Sequence, residues 1–90
     1  MLDLKICNGK LVDGSGSAAY QTDIGISGDR IVKIGDLSEL QSVATIEAAG
    51  KIVAPGFIDI HTHSDLSVLF DPHANSKVYD GVTTEVVGNC

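Results

Sequence analysis

His61 and His63 stand one residue apart in the run Pro55-Gly56-Phe57-Ile58-Asp59-Ile60-His61-Thr62-His63-Ser64-Asp65. In extended backbone, alternate side chains share a face, so two imidazoles at this spacing form a chelating pair for a divalent metal. A third donor, of a second type, stands at Cys90, because a thiolate binds zinc strongly and a bound metal lowers the thiol pKa. Taken singly, each has an ordinary reading: one surface and one core histidine, and a buried thiol at a strand end. Asp65, two residues past the second histidine, can accept a hydrogen bond from a ligating imidazole, against its plainer reading as a loop carboxylate. Asp59 lies inside an apolar run and needs a partner, which points to a structural hydrogen bond rather than to catalysis. His73 reads as a surface residue.

The elements around these residues decide whether they meet. Residues 57–60 form a short apolar run suited to a parallel strand covered on both faces. Ser64 to Phe70 reads as a loop with some helical character. Asp71 as N-cap and Pro72 at the first helical position predict a helix through Tyr79, stopped at Gly81. Val82 to Val87 is β-branched and predicts a second strand. Strand, crossover helix and strand within about 30 residues make a βαβ unit with parallel strands. His61 and His63 then follow the C-terminal end of one strand and Cys90 that of the other. All three are expected on one rim of the sheet, with neighbouring strands about 4.8 Å apart.

Residues 1 to about 54 read as short strands joined by tight turns. Asn8-Gly9 between Leu4-Lys5-Ile6 and Lys10-Leu11-Val12-Asp13 predicts a hairpin. Gly14 to Ala19 lacks periodicity and predicts a surface loop; no helix follows it to complete a phosphate cradle. A second hairpin is predicted from Asp23 to Gly35 about Gly28-Asp29. Leu37 to Val43 is short enough for one helical turn capped by Ser38. Thr45 to Ala48 and Lys51 to Ala54 read as a further strand pair about Ala49-Gly50. The result is a module of about six strands that ends where Pro55-Gly56 changes the composition. The expected domains are therefore a β-module over 1–55 and a second domain over 56–90.

Composition narrows the function. Of 90 residues, 43% are hydrophobic, enough for a small globular domain. The net charge is −6 and there is no Lys/Arg cluster, which argues against a nucleic-acid partner. No basic leader and no run of about 18 apolar residues is present, so the expectation is a soluble, cytoplasmic protein without a membrane partner. Cys7 and Cys90, far apart and without a secretion signal, are not expected to form a disulfide.

Val53-Ala54-Pro55-Gly56-Phe57-Ile58-Asp59-Ile60-His61-Thr62-His63 resembles the first metal-binding motif of the amidohydrolase superfamily, preceded by that superfamily's N-terminal β-module. Ser76 to Cys90, SKVYDGVTTEVVGNC, resembles the D-aminoacylase branch, the N-acyl-D-amino-acid deacylases, whose second barrel strand ends in a GNC motif. The resemblance covers almost the whole chain. It implies an α/β fold: a β-rich N-terminal module, part of a small β-sandwich, followed by the first βαβ unit of a metal-dependent (β/α)8 TIM barrel. It implies that His61 and His63 bind one metal site and that Cys90 binds zinc in the other, with further histidines supplied by later strands. The implied reaction is hydrolysis of the N-acyl amide of a small-molecule N-acyl-D-amino acid to a carboxylate and the free D-amino acid.

Such a barrel takes about 250 residues, so the chain reads as a truncated, N-terminal fragment that is expected to be inactive alone. Its exposed strands are expected to promote homo-oligomerisation or local disorder after residue 56. Two alternatives stay open. One is an amidohydrolase acting on cyclic amides, dihydropyrimidinase- or dihydroorotase-like, against which Cys90 argues because those branches usually bridge their metals with a carbamylated lysine. The other is a non-catalytic β-module that binds a partner through an edge strand.

Overall fold

The computed structural model describes residues 1–60, 72–73 and 75–87. The chain divides into two units, Met1–Pro55 and Gly56–Cys90.

The first unit is a five-stranded sheet built on one long strand, β1 (Leu2–Leu11). On one side of it lies β2 (Tyr20–Ser27), antiparallel, and beyond β2 the edge strand β3 (Arg30–Gly35). On its other side β4 (Ser42–Glu47) and then β5 (Ile52–Val53) run parallel to it, one after the other. The hairpin expected between β2 and β3 is present, closed at Gly28-Asp29, where Gly28 takes a φ of 59°. Glycine enters that left-handed region without steric cost.

The hairpin expected at Asn8-Gly9 is absent, and β1 runs straight through it. Asn8 does take a positive φ, 62°, but the strand uses it for a β-bulge: three steps from Ile6 to Gly9 face two from Ile24 to Thr22. Gly9 serves a different need. A Cβ there would come within 2.5 Å of Val53 Cγ2 and 3.2 Å of the Ala48 Cβ. Only a bare backbone lets the β4–β5 segment pass.

That segment also differs from the expected strand pair. β4 and β5 do not pair with each other; the turn at Ala49-Gly50 is a kink in one path along β1. It is tied down by Ala48 N–H to the Cys7 carbonyl at 2.8 Å and Lys51 N–H to the Ala48 carbonyl at 2.9 Å. The merged β1 is why the unit has five strands rather than six.

Residues 37–43 contain no helix. Leu40 N–H reaches the Leu37 carbonyl at 3.0 Å to close a turn. Asp36, not Ser38, caps it by accepting the Ser38 N–H at 3.0 Å. The turn is tied to the sheet instead: the Leu37 N–H donates to Asp23, and Lys5 Nζ donates to the Leu37 and Leu40 carbonyls. Leu37 is held there as the most buried large side chain of the core, 2% exposed, a burial that stabilises by about 1.5–3 kcal/mol. Leu2, Leu11, Ile24 and Ala48 complete the buried apolar set.

In the second unit, β6 (Phe57–Asp59) and β7 (Val82–Glu85) are parallel neighbours, joined through α1 (Asn75–Tyr79). The helix stops where the sequence predicts. Asp80 N–H and Gly81 N–H bond the Lys77 and Val78 carbonyls, and Gly81 takes a φ of 86°. Its start is later than expected, for Pro72 and His73 lie in a turn; proline's fixed φ suits a turn as well as a first helical residue. The N-cap expected at Asp71 and the loop expected over 64–70 lie outside the described residues.

Candidate metal centre

His61, His63, Asp65 and Cys90 lie outside the described residues, and among the described residues no three His, Cys, Asp or Glu side chains form a group able to hold a metal. What the structure describes is the frame that carries those positions. β6 and β7 run parallel with Asp59 opposite Glu85, and the Val86 N–H bonds the Asp59 carbonyl at 2.8 Å. The two C-terminal strand ends therefore lie side by side. One leads into His61 and His63, the other into Gly88-Asn89-Cys90.

At the opposite end of the strands the packing is close and the register shifts by one residue between Phe57 and Ile58. The Gly56 backbone lies against the Thr83 side chain so tightly that a Cβ at Gly56 would collide with it. Phe57 N–H bonds the Gly81 carbonyl at 2.8 Å, and a Cβ at Gly81 would press on the Phe57 ring at 3.2 Å.

Asp59 is half-buried at the strand end, and the partner its position demanded is Lys77 on α1, whose Nζ donates to Asp59 Oδ2 at 3.0 Å. The hydrogen bond and the charge of Asp59 hold the Lys77 ammonium above the usual lysine range, with smaller contributions from Glu85 and Asp80. Lys77 lies in the stretch Ser76 to Cys90 that carries the family resemblance, but nothing in that stretch marks it as the partner of Asp59; the one pointer is a carboxylate inside an apolar strand that needs a partner. His73 is exposed, as expected, and with Lys77, Val78, Val82, Thr83 and Glu85 lines an open cleft of about 400 Å³.

The first unit holds a polar cleft of about 370 Å³ lined by Asn8, Thr22, Asp23 and Asp36 among others. Its buried acid is structural: Asp23 Oδ1 accepts the Asn8 N–H at 2.9 Å and Oδ2 the Leu37 N–H at 3.0 Å. Cys7 sits within β1 as a half-buried thiol, and burial, helped by Asp23 and Glu47 against Lys5, pushes its pKa up. That is the reverse of an activated cysteine. No helix among the described residues is long and apolar enough to cross a membrane.

His61, His63 and Cys90 are nitrogen and sulfur donor types of the kind a zinc-type ion takes, and in sequence they follow two strands whose ends are adjacent. Residues 44–90 match the model of the Amidohydrolase family. The chain is 46% identical over 88 residues to D-aminoacylase from Alcaligenes xylosoxydans xylosoxydans, covering 98% of this chain and 18% of that protein. It is 47% identical over 89 residues to N-acyl-D-glutamate deacylase of the same organism, covering 99% of this chain and 18% of that protein. Among solved structures, N-acyl-D-glutamate deacylase from Bordetella bronchiseptica, complexed with zinc and a phosphonate mimic of the tetrahedral intermediate, superposes with a TM-score of 0.94. It does so at 45% identity over 99% of this chain and 19% of its own. The chain thus spans under a fifth of the length of the curated relatives it matches.

Proposed function

The chain belongs to the amidohydrolase family, and from that premise we propose that it forms the front of a metal-dependent N-acyl-D-amino-acid deacylase. The reaction is hydrolysis of a linear N-acyl amide to a carboxylate and a free D-amino acid. The observation that carries the reading is the 46–47% identity to two such deacylases along nearly the whole chain. In this reading residues 1–55 are the β-module and residues 56–90 open the (β/α)8 barrel.

His61 and His63 would hold one metal and Cys90 would help hold a second, with zinc the ion the donor types favour. When bound, the metal supplies Lewis-acid polarisation of the carbonyl and ionisation of water near neutral pH. The chain's own part is positional. The β6–β7 pair sets the two strand ends that precede the donor segments side by side, and Asp65 would orient a ligating imidazole through its second ring nitrogen. The remaining ligands and the proton-transferring carboxylate belong to other parts of the polypeptide, so residues 1–90 alone would not turn over substrate. The names of the relatives matched at 46–47% identity, a D-aminoacylase and an N-acyl-D-glutamate deacylase, favour this reading over a cyclic-amide hydrolase.

The test is hydrolysis by the full-length polypeptide containing residues 1–90, supplied with zinc and offered N-acetyl-D-amino acids, their L-enantiomers and dihydrouracil. Release of free D-amino acid with little turnover of the other two supports the reading. Turnover of dihydrouracil without that of any N-acetyl-D-amino acid contradicts it.

A further inference from the structure

Asn8-Gly9 lies in the bulge of β1 with its two residues in opposite surroundings: Asn8 is exposed and Gly9 is buried. The Asn8 side chain is tied down. Its Nδ2 donates to Glu47 Oε1 and Oε2, both at 3.1 Å, and Glu47 Oε1 also accepts the Ala49 N–H at 3.0 Å. One carboxylate therefore joins Asn8 to the start of the β4–β5 kink, while Val53, at its other end, lies over Gly9. Asparagine before glycine is also a reactive pair, because glycine has no Cβ to hinder attack by its nitrogen on the neighbouring amide. The Gly9 nitrogen gives its proton to solvent and bonds to Asn8 Cγ; the Cγ–Nδ2 bond breaks, and Nδ2 takes a proton from solvent and leaves as ammonia. Water then opens the succinimide at either carbonyl, giving aspartate or isoaspartate.

We propose that Asn8-Gly9 is a latent deamidation site guarded by the β4–β5 kink, and that the reaction, once it occurs, unlocks that kink. The guard has two parts. Hydrogen bonds from Nδ2 to an anion push electron density into the amide, which makes Cγ a poorer electrophile. Burial of Gly9 beneath Val53 restricts rotation of its nitrogen toward Asn8 and the approach of base. Local opening of the kink removes both at once. The product then opposes closure. A carboxylate at position 8 meets Glu47 where the amide had donated, and like charges so close repel. Isoaspartate also adds a carbon to the main chain between the part of β1 that pairs with β4 up to Cys7 and the part that pairs with β5 from Lys10, so both pairings cannot keep their register.

The experiment incubates the full-length polypeptide in mildly alkaline buffer and follows the peptide containing Asn8-Gly9 by mass spectrometry that separates asparagine, aspartate and isoaspartate. Deamidation of the folded wild type is expected to be at least about tenfold slower than in denaturant, and folded Glu47→Ala to react severalfold faster than folded wild type. Equal rates in folded and denatured wild type, or a folded Glu47→Ala as slow as wild type, overturn the proposal. Should Glu47→Ala fail to fold, Val53→Ala uncovers Gly9 while keeping the Glu47 bonds: faster deamidation supports the guard, and an unchanged rate overturns it. The unlocking is read in Asn8→Asp as hydrogen exchange at the Ala48 and Lys51 amides, which bond the Cys7 and Ala48 carbonyls. Exchange severalfold faster than in wild type supports it, and unchanged protection of both amides overturns it.

Discussion

The carboxylate of Asp23 accepts the backbone N–H of Asn8 at 2.9 Å, across the bulge that interrupts β1. Its other oxygen takes the Leu37 N–H at 3.0 Å, so one side chain pins both the bulge and the turn that carries the most buried leucine. Asp23→Ala leaves two backbone donors without their acceptor, each costing about 1–3 kcal/mol where water cannot replace it. The expected outcome is faster hydrogen exchange at the Asn8 and Leu37 amides together, with smaller changes in β3. Unchanged protection at both amides would show that Asp23 is not the clamp.

Gly9 tests the packing of the kink against the bulge. Gly9→Ala places a methyl group against Val53 and Ala48, and overpacking of this kind costs about 1–3 kcal/mol. Val53→Ala should recover part of the loss in a double-mutant cycle, since the two positions touch. Additive effects would contradict the contact.

In the strand pair that precedes the proposed metal ligands, Gly56→Ala drives a methyl group into Thr83 and so separates β6 from β7 at its start. Thr83→Gly should restore the pairing. Measured as zinc affinity of the full-length polypeptide, the single variant is expected to bind more weakly and the double variant nearly normally; a single variant with unaltered affinity would contradict this role for the strand pair.

Cys7 predicts a pH dependence. Burial raises the pKa of its thiol in the folded state, so the unfolded chain loses that proton first. The contribution to stability is fully present below the ordinary thiol range, about 8.5, and is lost as pH rises through the higher folded value. Alkylation by iodoacetamide at pH 8 should accordingly be much slower in the folded protein than in denaturant. Equal rates would contradict it.

Local pattern carried much of this fold. Period-two alternation with Gly28 marks β2 and β3, and an apolar run, a glycine stop at Gly81 and a β-branched run mark β6, α1 and β7. Asn8-Gly9 alone does not distinguish a hairpin from a bulge, because both want a positive φ between alternating strands. What separates them is remote: Asp23 accepting the Asn8 N–H, and Val53 lying over Gly9. The same holds for Leu37, whose turn is fixed by bonds to Asp23 and Lys5. In the candidate site, the His61/His63 spacing is legible because chelation needs only neighbours in sequence. Lys77 is not, since it meets Asp59 from 18 residues away through the fold.

Cys90 is expected to join His61 and His63 in one metal centre. The near-ultraviolet spectrum of the cobalt(II)-substituted full-length polypeptide, taken with its metal content for wild type and Cys90→Ala, tests this. A thiolate-to-cobalt charge-transfer band is expected in the wild type and should disappear in Cys90→Ala, together with a loss of bound metal. A wild-type cobalt protein lacking the band, or a Cys90→Ala protein that keeps both the band and its full metal content, would contradict it.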